Sequence, residues 1–292
     1  MGKTPVAVYA APRRSYVIIV GCAVFAVLSV PHVLQATWLQ ILLTHIALYA
    51  FILNGVLVFV ALRHLQLIAN RRIFEWPQIG DRASQPANYF LFVMGSGGHT
   101  REMLMMMDDG TCDFAGFHRR YLISSGDTMS LDHVQEHERE IRELCSQKGL
   151  DPGTYDTRIV TRARRVHQPL WTTPFTGILS IIDIFPALLI PPEQGSSSWP
   201  QRIYSNGPAT GFFVAVVAHF LRMFFLAPEE SMRFLYIESW ARTSTLSLTG
   251  KLLHYTGLAD VFVVQHKEVG ERYGIKCVGQ IVFNSRRTET SL

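Results

Sequence analysis

The sequence predicts an α/β domain on a parallel, Rossmann-like sheet, tethered to a membrane by an apolar N-terminal segment. Three observations carry this expectation. Over about the last 200 residues, short apolar runs alternate with helical patterns, which is the signature of successive βα units. From Trp38 to Leu62 the chain carries no formal charge, and about 25 residues at 1.5 Å each suffice to cross roughly 30 Å of hydrocarbon. Finally, the 292 residues are 48% hydrophobic with a mean hydropathy of +0.17, too apolar for an ordinary soluble domain and too charged for a polytopic one.

Charge and cysteine usage narrow the class further. A net charge of +4 and a pI near 8.9 suit an anionic membrane surface or a phosphate-bearing ligand and are too mild to indicate nucleic acid. Cys22, Cys112, Cys145 and Cys277 are scattered and form no CxxC pair. Neither a disulfide framework nor a zinc site is indicated, and a reducing cytosolic setting follows.

Along the chain, residues 1–65 read as the anchor, with helices over 16–34 and 38–62. Pro31 and His32 interrupt the first run, and Arg13 and Arg14 precede it. It therefore has two readings, one arm of a transmembrane hairpin or a signal or interfacial helix. Lys3, Arg13 and Arg14 on one side and Arg63, Arg71 and Arg72 on the other flank an uncharged middle, so both ends face the cytosol. If only the second helix spans, the charges after Leu62 still place the large domain there. Residues 66–87, with Pro77, Gly80, Ser84 and Pro86, read as a juxtamembrane linker.

The folded domain spans 88–283. Strands are expected at Tyr89–Met94, Tyr121–Ile123, Ile203–Tyr204, Phe234–Ile237 and Val261–Val264. Helices are expected after His99, over Leu131–Lys148, Ala209–Phe225 and Leu246–Tyr255. Two further apolar stretches, Leu170–Ile190 and Phe212–Leu226, read as buried or membrane-grazing helices. Asp183, Pro174 and Pro186 in the first, and His219 and Arg222 in the second, argue against spans. Pro191–Pro200 is a flexible loop and 284–292 a polar tail.

The sharpest chemical feature is Gly95-Ser96-Gly97-Gly98-His99-Thr100, directly after a strand and before a helix. A glycine turn there aims backbone N–H groups and a helix N-terminus at one point, where a phosphate can sit. The Lys-Ser/Thr of a Walker loop and the GxGxxG spacing are both missing, which disfavours ATP hydrolysis and nicotinamide binding. Asn206-Gly207-Pro208-Ala209-Thr210-Gly211 repeats the placement after a later strand, so both turns are expected to face one cleft. Glu238 ends a strand and is read either as a site carboxylate or as the cap of the next helix. Arg158, Arg162, Arg164 and Arg165 offer cations to a diphosphate or form a solvated patch. His133-Val134-Gln135-Glu136-His137 matches the HxxEH pattern of inverted zinc peptidases. No third ligand is identifiable and the surrounding stretch is dense in Glu and Arg, so a solvated charged helix is the preferred reading.

These segments resemble the asparagine-linked glycosylation protein fourteen family, the membrane-anchor subunit of the dolichol-pathway UDP-GlcNAc transferase. The resemblance rests on Val93–Thr100 with Glu102, Ser124–Ser130 around Asp127, Arg162-Ala163-Arg164, Asn206–Thr210, and Tyr236–Ser239 through Thr245–Lys251. It implies a Rossmann-like, acceptor-side half of a GT-B glycosyltransferase whose donor-binding half is a separate catalytic chain binding UDP-GlcNAc. About 200 soluble residues build only one of the two domains a complete GT-B enzyme needs. The implied acceptor is dolichyl-diphosphate-GlcNAc, extended on the cytosolic face of the endoplasmic reticulum membrane, with no cofactor and no metal. For acceptor and phosphate binding the resemblance points to Gly95, Ser96, Gly97, Gly98, Thr100, Asp127, Arg162, Arg164, Asn206, Gly207, Thr210 and Lys251. His99 is the first candidate for the base that activates the acceptor hydroxyl and Glu238 the second. Gly279, Gln280, Ile281, Val282 and Phe283 are expected to grip the partner. The competing expectation is a non-catalytic membrane scaffold whose glycine turns are purely structural.

Overall fold

The structure is a computed structural model that describes residues 38–71, 89–107, 117–164, 168–193, 197–279 and 281. The predicted helix 16–34, residues 72–87 of the linker and the tail 284–292 lie outside the described residues. The chain divides into two compact units, Met1–Gln66 and Leu67–Leu292.

In the first unit the described residues are all helical and belong to α1 (Trp38–Arg71), which is long and apolar enough to cross a membrane. Its most apolar 18-residue window has a mean hydropathy of 2.2, and none of it is buried by other parts of the chain. The helix continues beyond Leu62, where the uncharged run ends, to Arg71. Leu, Arg, Gln and Ala are all good helix formers, and a loss of apolarity ends a span without ending a helix.

The second unit is a seven-stranded sheet, every neighbouring pair parallel. In chain order the strands are β1 (Tyr89–Val93), β2 (His118–Ser124), β3 (Thr154–Val160), β4 (Arg202–Ser205), β5 (Arg233–Ile237), β6 (Val261–Val264) and β7 (Lys276–Cys277). In space they run β3-β2-β1-β4-β5-β6-β7, the doubly wound order with one added edge strand. Between them lie α2 (Gly98–Met107), α3 (Thr128–Lys148), α4 (Thr173–Leu189), α5 (Ala209–Met223), α6 (Leu248–Thr256) and α7 (Lys267–Tyr273).

Alternation along the strands builds a core on each face of the sheet. Leu91 and Val93 point to the side where Ile203, Phe234 and Tyr236 meet Ile184 and Leu188 of α4 and Val214 and Leu221 of α5. Phe92 and Met94 point to the other, against Met103 and Leu104 of α2 and Val134 of α3. Each such side chain contributes roughly 1.5–3 kcal/mol when fully buried.

Leu170–Ile190 contains α4 rather than a span. Gly177, Ser180, Ile184 and Leu188 face inward, while Phe175, Ile178 and Ile182 are exposed. Gly177 is required where α4 meets α5, since a Cβ there would lie 2.6 Å from the Phe213 ring. Asp183 accepts from the backbone N–H of Thr161 at 2.9 Å, which gives this carboxylate a partner beyond its own helix.

The structure adds elements that the hydrophobic pattern does not reveal: β3, α7, β7, and three residues at the start of β2. His118, Arg119 and Arg120 are buried because each finds a partner. Arg119 binds Glu138 at 2.7 and 2.8 Å. Arg120 binds Asp156 of β3 and the carbonyls of Ala187 and Ile190, and His118 contacts Asp156 at 3.3 Å.

Candidate functional site

The chain fills one side of the sheet through β2 and β3, then returns to lay β4 on the other side of β1. Helices leaving neighbouring strands part at such a switch point, opening a crevice beyond the carboxyl ends. The two predicted glycine turns follow β1 and β4 and therefore flank this crevice together.

In the first turn Gly97 has φ of 59°, a left-handed conformation that glycine adopts without strain. Ser96 and Gly98 are exposed, and α2 starts at Gly98, so its first N–H groups, which have no intrahelical partner, open toward the crevice. The Gly95 carbonyl is held by the hydroxyls of Thr100 and Ser130, the latter at 2.9 Å. Thr100 is buried and thus fixes the turn from beneath. Asp127 caps α3, accepting from the Ser130 N–H at 3.1 Å and its hydroxyl at 2.8 Å. The α3 cap and the glycine turn are therefore one hydrogen-bonded unit.

His99 sits between the two turns, with its side chain 39% exposed. A Cβ on Gly95 would lie 2.6 Å from the His99 Cβ, and one on Gly207 2.9 Å from its Cε1. Gly207 also has φ of 129°. Both glycines are thus needed for the imidazole to occupy this place. Asn206, fully buried, donates from Nδ2 to the His99 carbonyl at 2.7 Å, so the second turn also holds the first turn's backbone.

Beneath the imidazole lies Glu102, one helical turn further along α2 and buried. Its Oε2 accepts from Ser239 Oγ at 2.8 Å and Asn206 Nδ2 at 3.3 Å, and its Oε1 from the Trp240 N–H at 2.8 Å and Gln265 Nε2 at 3.0 Å. The donors follow β4, β5 and β6, so one carboxylate gathers the ends of three strands. Burial acts to raise the Glu102 carboxyl, but the nearby His99 imidazole and the Trp240, Ser239 and Gln265 donors outweigh it. It is held below the ordinary carboxylate value.

Other predicted site residues lie elsewhere. Glu238 is buried, and its Oε2 turns to Ser247, the N-cap of α6, accepting from the backbone N–H at 3.2 Å and the hydroxyl at 3.3 Å. A Cβ on Gly250 would meet that oxygen at 2.0 Å. Burial raises the Glu238 carboxyl above its usual value despite these bonds and the nearby Arg242. Thr210 is buried and meets Ser124 Oγ at 3.1 Å. Arg162 stands 3.8 Å from Asp127, bordering the first turn. Arg164 donates to the Gln168 carbonyl at 3.1 Å, and Lys251 is exposed on α6. Gly279, with φ of 76°, and the half-buried Ile281 follow β7; Gln280, Val282 and Phe283 lie outside the described residues. In the HxxEH stretch Glu136 is exposed and paired with Arg139, and His137 is buried. No group of three or more His, Cys, Asp or Glu side chains arranged to hold a metal occurs among the described residues.

Ser130 and Ser239 lie in the recognised segments without an assigned role, Trp240 directly follows one, and Gln265 lies outside them. Glu102 stands in the recognised motif without an assigned function, and its i, i+3 spacing from His99 was the available signal.

A family model described as "Oligosaccharide biosynthesis protein Alg14 like" matches residues 90–281. The chain is 32% identical over 219 residues to the UDP-N-acetylglucosamine transferase subunit ALG14 of Cryptococcus neoformans, covering 73% of this chain and 90% of that protein. It is 31% identical over 183 residues to the rat protein of the same name, covering 63% of this chain and 77% of the relative. With the human one it shares 30% identity over 187 residues, again 63% and 77%. A crystal structure of Arabidopsis thaliana UGT89C1 complexed with quercetin is similar at a TM-score of 0.37 and 12% identity, over 62% of this chain and 44% of that one.

Proposed function

This chain belongs to the Alg14-like family of oligosaccharide biosynthesis proteins, and on that premise we propose that it is the membrane-anchoring, acceptor-presenting subunit of a UDP-N-acetylglucosamine transferase. In this reading it presents dolichyl-diphosphate-GlcNAc and recruits a donor-binding catalytic subunit to the cytosolic face of the endoplasmic reticulum, where the second GlcNAc is added. The observation that carries the proposal is His99, walled by Gly95 and Gly207 at the switch point beside a helix N-terminus. That arrangement suits a diphosphate on the backbone donors, with a sugar hydroxyl near an imidazole whose ring nitrogen can accept its proton. The long apolar α1 supports anchoring, and the outward apolar face of α4 offers a second surface suited to lipid.

The transfer proceeds with inversion. His99 takes the proton of the acceptor hydroxyl, its oxygen bonds the anomeric carbon from the face opposite UDP, and UDP departs with the electrons of the broken bond. A positioned base contributes about 10²–10⁴ in rate. The buried Glu238, which accepts from the N-cap residue Ser247, organises α6 in this scheme, leaving His99 as the base. Gly95–Gly98 and Asn206–Gly207 line the acceptor cleft, Thr100, Asp127 and Thr210 brace it, and Arg162, Arg164 and Lys251 supply cations around it. Gly279–Phe283 contact the partner.

The test is to co-purify the full chain with its donor-binding subunit and assay UDP-GlcNAc with a diphosphate-linked GlcNAc lipid. Transfer is expected only when both chains are present, and transfer by this chain alone would overturn the two-chain reading. Gly207→Ala, which drives a methyl into the imidazole, separates catalysis from scaffolding. It is expected to keep the partner and lose turnover, whereas full turnover would favour the scaffold.

A further inference from the structure

Glu102 is a buried carboxylate that the proposed chemistry does not yet use. Its four hydrogen-bond donors are all neutral groups, so none cancels its negative charge. The nearest cation-forming group is the His99 imidazole, whose Nδ1 stands 3.8 Å from Oε2. That nitrogen is buried and has no hydrogen-bond partner, which is uncommon for a native polar atom. The ring sits over Gly207, and Nδ1 is the ring nitrogen on the side of the carboxylate.

We propose that Glu102 is the positioning residue for His99: the carboxylate selects the imidazole tautomer protonated on Nδ1, which leaves the Nε2 lone pair for the acceptor hydroxyl. The inference rests on the functional reading above and deepens it. When Nε2 takes the hydroxyl proton, the hydroxyl oxygen bonds the anomeric carbon and UDP leaves with the bonding electrons. The imidazolium so formed then faces a fixed negative charge. Neutral donors suit this task, because an arginine in their place would cancel the field that Glu102 exerts on the ring. The bonds to the ends of β4, β5 and β6 also fix where the carboxylate stands, so tautomer and cleft geometry are set together. The other titratable groups nearby are otherwise engaged: Glu238 and Tyr236 bond Ser247, and His266 bonds the Trp240 carbonyl at 2.5 Å.

Two readouts test this. The first is nitrogen NMR of the ¹⁵N-histidine-labelled full chain in lipid nanodiscs, with His99 assigned by its loss in His99→Gln. In the wild-type chain the neutral ring is expected protonated at Nδ1; a ring protonated at Nε2 overturns the proposal without any variant. Glu102→Gln, with an amide able to donate to Nδ1, is expected to move the population to the Nε2–H form, and an unchanged tautomer also overturns it. The second readout is the pH profile of the complex with its donor-binding subunit. Removing the carboxylate lowers the imidazole's proton affinity, so the acidic limb of kcat is expected at lower pH in Glu102→Gln. kcat should fall at least tenfold, with both KM values within about twofold of wild type. An unmoved limb, or equal losses in kcat and KM, means that Glu102 only supports the fold. If the wild-type complex transfers no sugar, the functional reading fails, while the tautomer measurement still judges Glu102.

Discussion

The two ends of the sheet treat charge in opposite ways. At the amino ends of the strands, each buried carboxylate is in direct contact with arginine: Glu138 with Arg119, Asp156 with Arg120, and Asp260 with Arg222 at 2.6 Å. Arg71 and Arg233 also approach Asp260, at 2.8 and 3.6 Å. At the carboxyl ends the buried carboxylate of Glu102 is held by neutral donors and faces a partly exposed histidine. Matched pairs are neutral to approaching ligands and act on folding. An uncancelled charge held in a rigid frame acts on whatever enters the cleft. The carboxyl end is where both glycine turns stand, with the buried His99 Nδ1, Asn206 Oδ1 and Gln265 Oε1 beside them.

This contrast can be broken from either side. The largest effect is expected at the carboxyl end: His99→Ala should lower kcat of the complex by about 10²–10⁴, with the thermal midpoint nearly unchanged. Normal turnover would remove His99 as the base. Next, Glu138→Ala strands the buried Arg119 guanidinium and the Tyr121 hydroxyl that donates to Glu138 at 2.5 Å. Denaturant titration should show a loss of about 3–5 kcal/mol, while kcat of the folded fraction is retained. A mild stability loss with strong loss of turnover would erase the distinction between the two ends. The smallest effect concerns pH. His118 and Arg120 outweigh burial at Asp156 and hold its carboxyl down at about 2, against an ordinary 3.8. A depressed carboxyl contributes stability above its unfolded value and loses it as pH falls through the folded one. Stability should therefore drop between about pH 4 and pH 2, and Asp156→Asn should flatten that slope, an effect of order 1 kcal/mol.

The same contrast explains what the sequence made legible. Both glycine turns, the five apolar strands and the helices after the first four of them follow from hydrophobic period and turn chemistry, which are local properties. Thr154–Val160 reads as polar, and its strand identity depends on pairing Asp156 with Arg120, which lies far away in sequence. The start of β2 is hidden for the same reason, because His118-Arg119-Arg120 looks like a surface loop until Glu138 and Asp156 are in place. In the site, His99 is visible because it adjoins a motif. Gln265 is not, and Ser239 lies in a recognised segment whose role stays hidden, since both act only once β5 and β6 end beside α2. Glu238 shows the converse: a carboxylate at a strand end has two local readings, site or helix cap, and the cap of α6 is instead Ser247, from whose N–H and hydroxyl Glu238 accepts.

Arg71 bonds the carbonyls of Gly257 and Ala259 at 2.7 and 2.8 Å in addition to Asp260. Both carbonyls lie in the short connection between Thr256, the last residue of α6, and Val261, the first of β6. One guanidinium therefore serves as the hydrogen-bond donor for a stretch of backbone where a helix hands over to a strand and neither element supplies partners of its own.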